Sequence, residues 1–529
     1  MKSLHQQQIL LALLLCFLVQ CAWSQAPDIA WQLSLGDSND DFVQKMIPTH
    51  DEGLLILTRV APPTDPDKEF DAGDIKIYKL NKNRDIEWTR IFRGPSTEHP
   101  VDACEIEDGF MVAVSSPSKE EDFSENYGSS DIWILKITHN GDLVWKRNYG
   151  GSGPDFPERI LALTEQRFLI VGYTNSPDHD VQNLYGEGDV WLFEIDENGD
   201  ILRSKSFGGS KTDALHDALV LSNGNLILVG ESASSDYDVP ENSGEADGWV
   251  LELDEQWNIL TNRVYGGPKV DYFSSIVEDN DGFVIAGSAY SDNVGIPNND
   301  DLLGKDLWVL KLNNYRTRIW SRLYGGSKFE YASGIKWFNN QLIVFGSTLS
   351  NDGDISHQFG FGVAFWLLLM DKNGILIWEK TFGGSGGESG RDLLINDRGE
   401  IIMLGESDSK DGDLVPTPNV PYNRNVWLVG LTSIFPDTLT NGCEGFVLAP
   451  NPVVHDQQLQ CHFSESVSLS AQLDFFNAAG QKIGATQSVE LVGKNPGIDL
   501  PSTLVSGTYF VKITTPQERC IKKIVVSQQ

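Results

Sequence analysis

Cysteine is scarce and never paired in sequence. Only six occur, and two of them, Cys16 and Cys21, sit in an apolar leader. The remaining four, Cys104, Cys443, Cys461 and Cys520, form no Cys-x-x-Cys pair, which argues against a zinc or redox site. In an exported chain Cys461 can bridge to Cys520, or Cys443 to either, and free buried thiols fit equally well. Basic residues are also short, with 40 against 75 acidic ones and a formal net charge of −35. That balance argues against nucleic acid and anionic membranes as partners. No convincing amphipathic helical stretch follows residue 25, and no later run reaches transmembrane length. There is no His-Glu-x-x-His, no Walker loop and no dinucleotide fingerprint, and the nine histidines are scattered singly.

The leader has a positive start at Lys2 and an apolar stretch over residues 9–19, and it reads as a signal peptide (1–25) cut near Ser24-Gln25. A lipoprotein box at Leu18-Val19-Gln20-Cys21 is disfavoured by the bulk of Gln20. The negative charge is not spread evenly. Residues 447–529 hold six acids (Asp456, Glu465, Asp474, Glu490, Asp499, Glu518) and six bases (Lys482, Lys494, Lys512, Arg519, Lys522, Lys523), so that region is neutral. Two differently built regions follow.

What the chain has in quantity is glycine, 50 residues of it, and a repeat. The second position of a Gly-Gly pair recurs as Asp37, Gly94, Gly151, Gly209, Gly267, Gly326 and Gly384, a period of about 58 residues. The first two copies, Leu35-Gly36-Asp37-Ser38 and Phe92-Arg93-Gly94-Pro95, are degenerate. Each copy breaks into four apolar runs of strand length; in the fifth they cover 272–278, 283–289, 307–312 and 318–323. Turns such as Asp371-Lys372-Asn373-Gly374 suit tight hairpins. An all-β chain is expected, with a seven-bladed β-propeller over 26–432. A β-solenoid would have shorter rungs and need caps. The opening strand, 28–35, resembles the fourth run of other copies, and the last copy lacks a fourth run after Val426-Trp427-Leu428-Val429. The opening strand should therefore complete the last blade and leave no open edge.

Tryptophan recurs at one position of the third run (Trp133, Trp191, Trp249, Trp308, Trp366, Trp427) and one of the fourth (Trp31, Trp88, Trp145, Trp320, Trp378). Such repetition suits packing between blades better than sugar platforms, which need not recur. The long second-to-third loops and the blade crossings share one face. The loops carry Ser-x-Asp-x-Asp, which places Asp178 and Asp180, Asp236 and Asp238, Asp352 and Asp354, and Asp411 and Asp413 there, while copy five drifts to Ser291-Asp292-Asn293. The crossings add Asp155, Asp213, Asp271, Glu330 and Glu388, so this face is expected to be anionic. Three readings stand: Ca²⁺ held by the eight loop aspartates, though no bidentate Glu stands at calcium-loop spacing; turns built on Asp and Ser bonded to their own backbone; or a cationic or polyhydroxyl partner. Gly383-Gly384-Ser385-Gly386-Gly387 fits Gly-x-Ser-x-Gly, but the same core recurs in other copies, so it reads as a turn. An acid pair for glycoside chemistry stays open.

After Val429 the pattern stops, and 433–446 reads as a linker. Ala449-Pro450-Asn451-Pro452, the turn Phe475-Phe476-Asn477-Ala478-Ala479-Gly480, the run Leu504 to Lys512 around Gly507 and Tyr509, and the closing Lys522-Lys523-Ile524-Val525-Val526 follow. Residues 447–529, expected as a small β-sandwich, resemble the type A C-terminal sorting domain of the Bacteroidota type IX secretion system. The resemblance implies a sorting signal at Pro450, Asn451, Pro452, Gly480, Gly507, Tyr509, Lys522 and Lys523. It also implies the secretion machinery as partner, removal of the tail, and release or surface attachment of the cargo. The 58-residue copies are similar to a repeat of exported Bacteroidota proteins, which implies no activity. The whole reads as a secreted or surface-displayed propeller that binds a glycan or protein ligand. A polysaccharide-active hydrolase or lyase using loop acids is the alternative, and no catalytic residue is singled out.

Overall fold

The computed structural model describes residues 26–431, apart from 37–39, 62–72, 292–303, 416–423 and the turn positions 165, 241, 280, 339–340, 359, 361 and 397–398, together with the strands beyond 445 and Leu500. The leader, residues 432–445 of the linker, Cys443, Pro450, Asn451, Pro452 and Gly480 lie outside the described residues.

Up to Leu431 the strands form seven four-stranded antiparallel sheets, the blades of a β-propeller. Blade 3 is typical: strand a is Asp155–Thr164, b is Arg167–Thr174, c is Asp189–Asp196 and d is Ile201–Phe207. Strand c is apolar along its length because neighbouring sheets cover both its faces; in blade 6, Ala364–Met370 is buried at every residue. The six strand-c tryptophans are all at most 2% exposed. Four of these indoles donate to a strand-d side chain of their own blade: Trp191 to Ser204 (2.8 Å), Trp249 to Asn262 (2.7 Å), Trp308 to Ser321 (2.8 Å) and Trp366 to Glu379 (2.8 Å). Strand-d tryptophans reach the next blade instead: Trp88 donates to the His139 carbonyl (2.8 Å) and Trp145 to that of Glu197 (3.2 Å).

Blade 7 takes its fourth strand from the other end of the chain. Ile29–Leu35 pairs antiparallel with Asn425–Leu431. Gln32 there does what Ser204 does in blade 3, accepting the Trp427 indole N–H at 3.1 Å.

Six strand-a segments carry a bulge at one register, between Val43 and Lys45, Pro100 and Asp102, Pro157 and Arg159, Leu215 and Asp217, Phe273 and Ser275, and Gly390 and Asp392. A bulge re-aims the side chains beside it. Here it turns charged groups toward the axis, where they form a belt. Arg159 bonds Asp102 (2.9 Å) and Asp217, on the blades to either side, and Lys45 pairs with Asp392 at 3.2 Å across the closure. Each of these aspartates also accepts a backbone N–H from the following blade: Ile160 on Asp102 (3.1 Å), Ile276 on Asp217 (3.0 Å) and Met46 on Asp392 (3.0 Å).

The C-terminal unit has two sheets. One orders Phe446–Ala449, Leu459–Phe463 and Gly497–Ile498; the other orders Val453–Val454, Arg519–Ser527, Gly507–Thr514, Val467–Asn477 and Lys482–Gly493. Gly507 and Tyr509 fall in one strand of the larger sheet, and Lys522 and Lys523 in its neighbour. Cys461 and Cys520 lie in strands of different sheets, and Cys104 is a free thiol.

Candidate functional site

The loop acids turn their oxygens to the backbone of the crossings. Asp178, Asp236, Asp352 and Asp411 accept the N–H of Ser152 (2.7 Å), Ser210 (2.7 Å), Ser327 (2.8 Å) and Ser385 (2.7 Å). Asp180, Asp354 and Asp413 accept the first glycine N–H of the pair, from Gly150 (3.2 Å), Gly325 (3.1 Å) and Gly383 (3.2 Å). All four, Asp180, Asp238, Asp354 and Asp413, also donate their own N–H to the carbonyl of that first glycine, at 2.8–3.1 Å. The serine that opens each motif takes a third N–H, as Ser176 does from Gly153 at 2.9 Å, and its hydroxyl donates to the strand-a acid, Asp155, at 2.7 Å. Each loop is thereby latched to the crossing beside it. Gly383-Gly384-Ser385 is such a crossing. Backbone N–H donors hold Asp178 and Asp352 below the usual carboxylate range. Among the described residues no three Asp, Glu, His or Cys side chains gather as a metal cage. Asp155, Asp213, Asp271, Glu330 and Glu388 are all buried, so the crossings add little exposed charge to this face.

Blade 2 has the same latch from residues that the motif search passed over. Ser116 donates to Glu98 at 3.1 Å, and Asp122 accepts the Arg93 N–H at 2.8 Å. The spacing of Ser118 to Asp122, equal to that of Ser176 to Asp180, was the available signal.

A different group of side chains gathers where strands a and c begin, around the channel mouth on this same face. Lys305 stands just before strand c of blade 5 (Asp306–Asn313), where Gly73, Gly188 and Ala246 stand in other blades. A backbone bridge holds it beside Phe329 at the entry to blade 6. Its ammonium lies 4.0 Å from the ring centre of Tyr331, 4.4 Å from that of Tyr272 and 5.3 Å from that of Tyr290, and it bonds the Tyr272 hydroxyl. Burial lowers its pKa to about 8 against the pull of Glu231, and burial pushes the Tyr272 phenol up to about 12.

Beyond Tyr272, His216 presents its ring edge-on at 6.4 Å, and its Nδ1 is 3.5 Å from a Glu158 oxygen. Burial opposes the imidazolium, but Glu158 and Glu231 outweigh it and raise the pKa. Phe156 stacks on Tyr173 at 6.2 Å. Tyr173 has room only because residue 188 is glycine, whose Cβ would fall 2.0 Å from the hydroxyl. Across the mouth, the guanidinium groups of Arg59 and Arg424 lie 4.3 and 5.4 Å from the Phe42 ring centre. Phe156 and Phe329 are 37% and 42% exposed. These groups can stack on a sugar ring, bond its hydroxyls, and move a proton at His216. Phe42, Phe156, Tyr272 and Tyr331 share one position, just after the acid that opens strand a, in blades 1, 3, 5 and 6, a fainter recurrence than that of tryptophan or the loop acids.

Residues 448–527 match the family described as "Secretion system C-terminal sorting domain". The chain carries a type IX sorting tail. That tail implies interaction with the type IX secretion machinery and export, and among the described residues no helix is long and apolar enough to cross a membrane. No curated protein matches the chain. Solved structures with similar backbones include an α-L-arabinanase of Penicillium chrysogenum complexed with arabinobiose (12% identity, 76% of this chain and 99% of that one, TM-score 0.38). They also include the polysaccharide lyase Uly1 (7% identity, 76% and 99%, TM-score 0.44) and the parainfluenza virus 5 hemagglutinin-neuraminidase ectodomain (9%, 78% and 86%, TM-score 0.36). At such identities the likeness concerns the fold alone.

Proposed function

We propose that the chain is a secreted or surface-displayed propeller that binds a glycan at the channel mouth between blades 3 and 6. Residues 1–25 direct export in this reading, and the tail is a type A sorting domain removed at the outer membrane. The observation that carries the reading is the group of partly exposed aromatic side chains at that mouth, Phe156, Tyr173, Tyr272, Phe329 and Tyr331, in individual blades and beside a buried cation. Aromatic faces with adjacent hydrogen-bonding groups suit a polyhydroxyl ring. Oligosaccharide array binding followed by calorimetry tests it. Tyr272→Ala and Tyr331→Ala should each weaken the retained glycan by roughly tenfold, the loss expected for one anchoring ring, with little change in melting. A folded protein that retains no glycan would sink the reading.

A catalytic version is favoured by one contact, Glu158 against His216 Nδ1, which orients an imidazole as a general acid or base. Turnover of a polysaccharide that His216→Ala abolishes without unfolding would select the hydrolase or lyase. The loop aspartates act as latches in both versions. Chelator should leave the melting curve unchanged, and a rise of several degrees with Ca²⁺ would return them to metal binding.

A further inference from the structure

We propose that the mouth selects an acidic sugar and that Lys305 binds its carboxylate or sulfate group; this rests on the glycan-binding reading. Four lysines and arginines are buried among the described residues: Lys79, Lys305, Lys311 and Arg316. Three have carboxylate partners, Asp51 on Lys79 (2.7 Å), Asp281 on Lys311 (2.8 Å) and Glu252 on Arg316 (2.6 Å). Lys305 has no carboxylate within ion-pair distance among the described residues, Glu231 acting on it only from farther off, and meets one hydroxyl and three aromatic faces.

An ammonium carries three donors, and a buried cation without an anion is costly. The repeat does not demand a cation there, since glycine or alanine fills the same position in blades 1, 3 and 4, while blade 7 places Arg424 at it, near the Phe42 ring. The belt shows how this chain handles even a partly buried charge that serves only structure: Arg159 is given an acid on each side. An anion entering from the mouth would complete the set at Lys305. Tyr272 and Tyr331, on neighbouring blades, would then frame the sugar that carries it. The net charge of −35 does not forbid this, because charges farther than about 8 Å are largely screened at physiological ionic strength.

The test is calorimetric titration of the full chain with neutral, uronate-bearing and sulfated oligosaccharides and with poly-glutamate, for the native protein and for Lys305→Met, Lys305→Arg and Tyr272→Ala. The native protein should prefer one acidic series, and which series binds identifies the anion. Lys305→Met should weaken that binding by roughly tenfold or more, the expected loss of a charge-assisted bond, at an equal or higher melting temperature. Lys305→Arg should retain it. If Lys305→Met does not fold, Lys305→Gln serves the same comparison. Equal binding of the neutral series, or no effect at Lys305, overturns the inference and leaves glycan binding standing. Retention of poly-glutamate alone overturns both in favour of an acidic peptide, and retention of nothing overturns both outright.

Discussion

Trp308 and Lys305 lie three positions apart and show what a single residue discloses in a sequence. Trp308 repeats in five other blades, and that repetition marked it as packing. The structure buries it to 1% and gives its indole N–H to Ser321 at 2.8 Å. Trp308→Ala should cost about 3–5 kcal/mol, the range for large-to-small changes in a core, read by urea denaturation. Lys305 stands at a position filled by Gly73, Ser130, Gly188, Ala246, Val363 and Arg424 in the other blades, so repetition does not mark it. Its meaning comes from Tyr272 of its own blade and Tyr331 of the next, which fold beside it. The same holds for Glu158 and His216, brought together from blades 3 and 4. Acids that make turns were legible as motifs because Ser, Asp and Gly act locally. Groups that meet across blades were not.

Among the elements, the opening strand was legible because its Ile-Ala-Trp-Gln pattern matches a fourth run and the last copy lacks one. Its pairing gives Trp427 an acceptor in Gln32, and Gln32 also takes the Val415 N–H at 2.9 Å and donates to the Asp413 carbonyl at 2.9 Å. Deleting residues 28–35 exposes the edge of Asn425–Leu431 and should give aggregation or a clear fall in melting temperature, followed by size-exclusion chromatography and calorimetry. A monomeric variant that melts unchanged would show that the pairing adds nothing. The axial belt was not legible. Its position is occupied by Lys45, Asp102, Arg159, Asp217, Ser275, Gly334 and Asp392 in turn, and signs that alternate around a ring look like scatter along a chain.

For the whole molecule, the buried acids at the starts of strands a and c make stability depend on pH. Burial raises Asp189 and Glu98 to about 7 and Asp155 and Asp247 to about 6. These groups hold protons in the folded state that the unfolded chain releases near pH 4. Folding is therefore favoured below that point, and the advantage is lost as pH rises through 6 and 7. The melting temperature should be higher at pH 5 than at pH 8, and a flat profile between them would contradict the burial of these carboxyl groups.

The ring closure also has a consequence in time. Gln32 and Trp427 are 395 positions apart, and contacts so distant form late because the intervening chain must first be gathered in. During synthesis the earliest strand waits unmated for the latest. A nascent chain halted before residue 425 lacks the strand against which its first one is to lie.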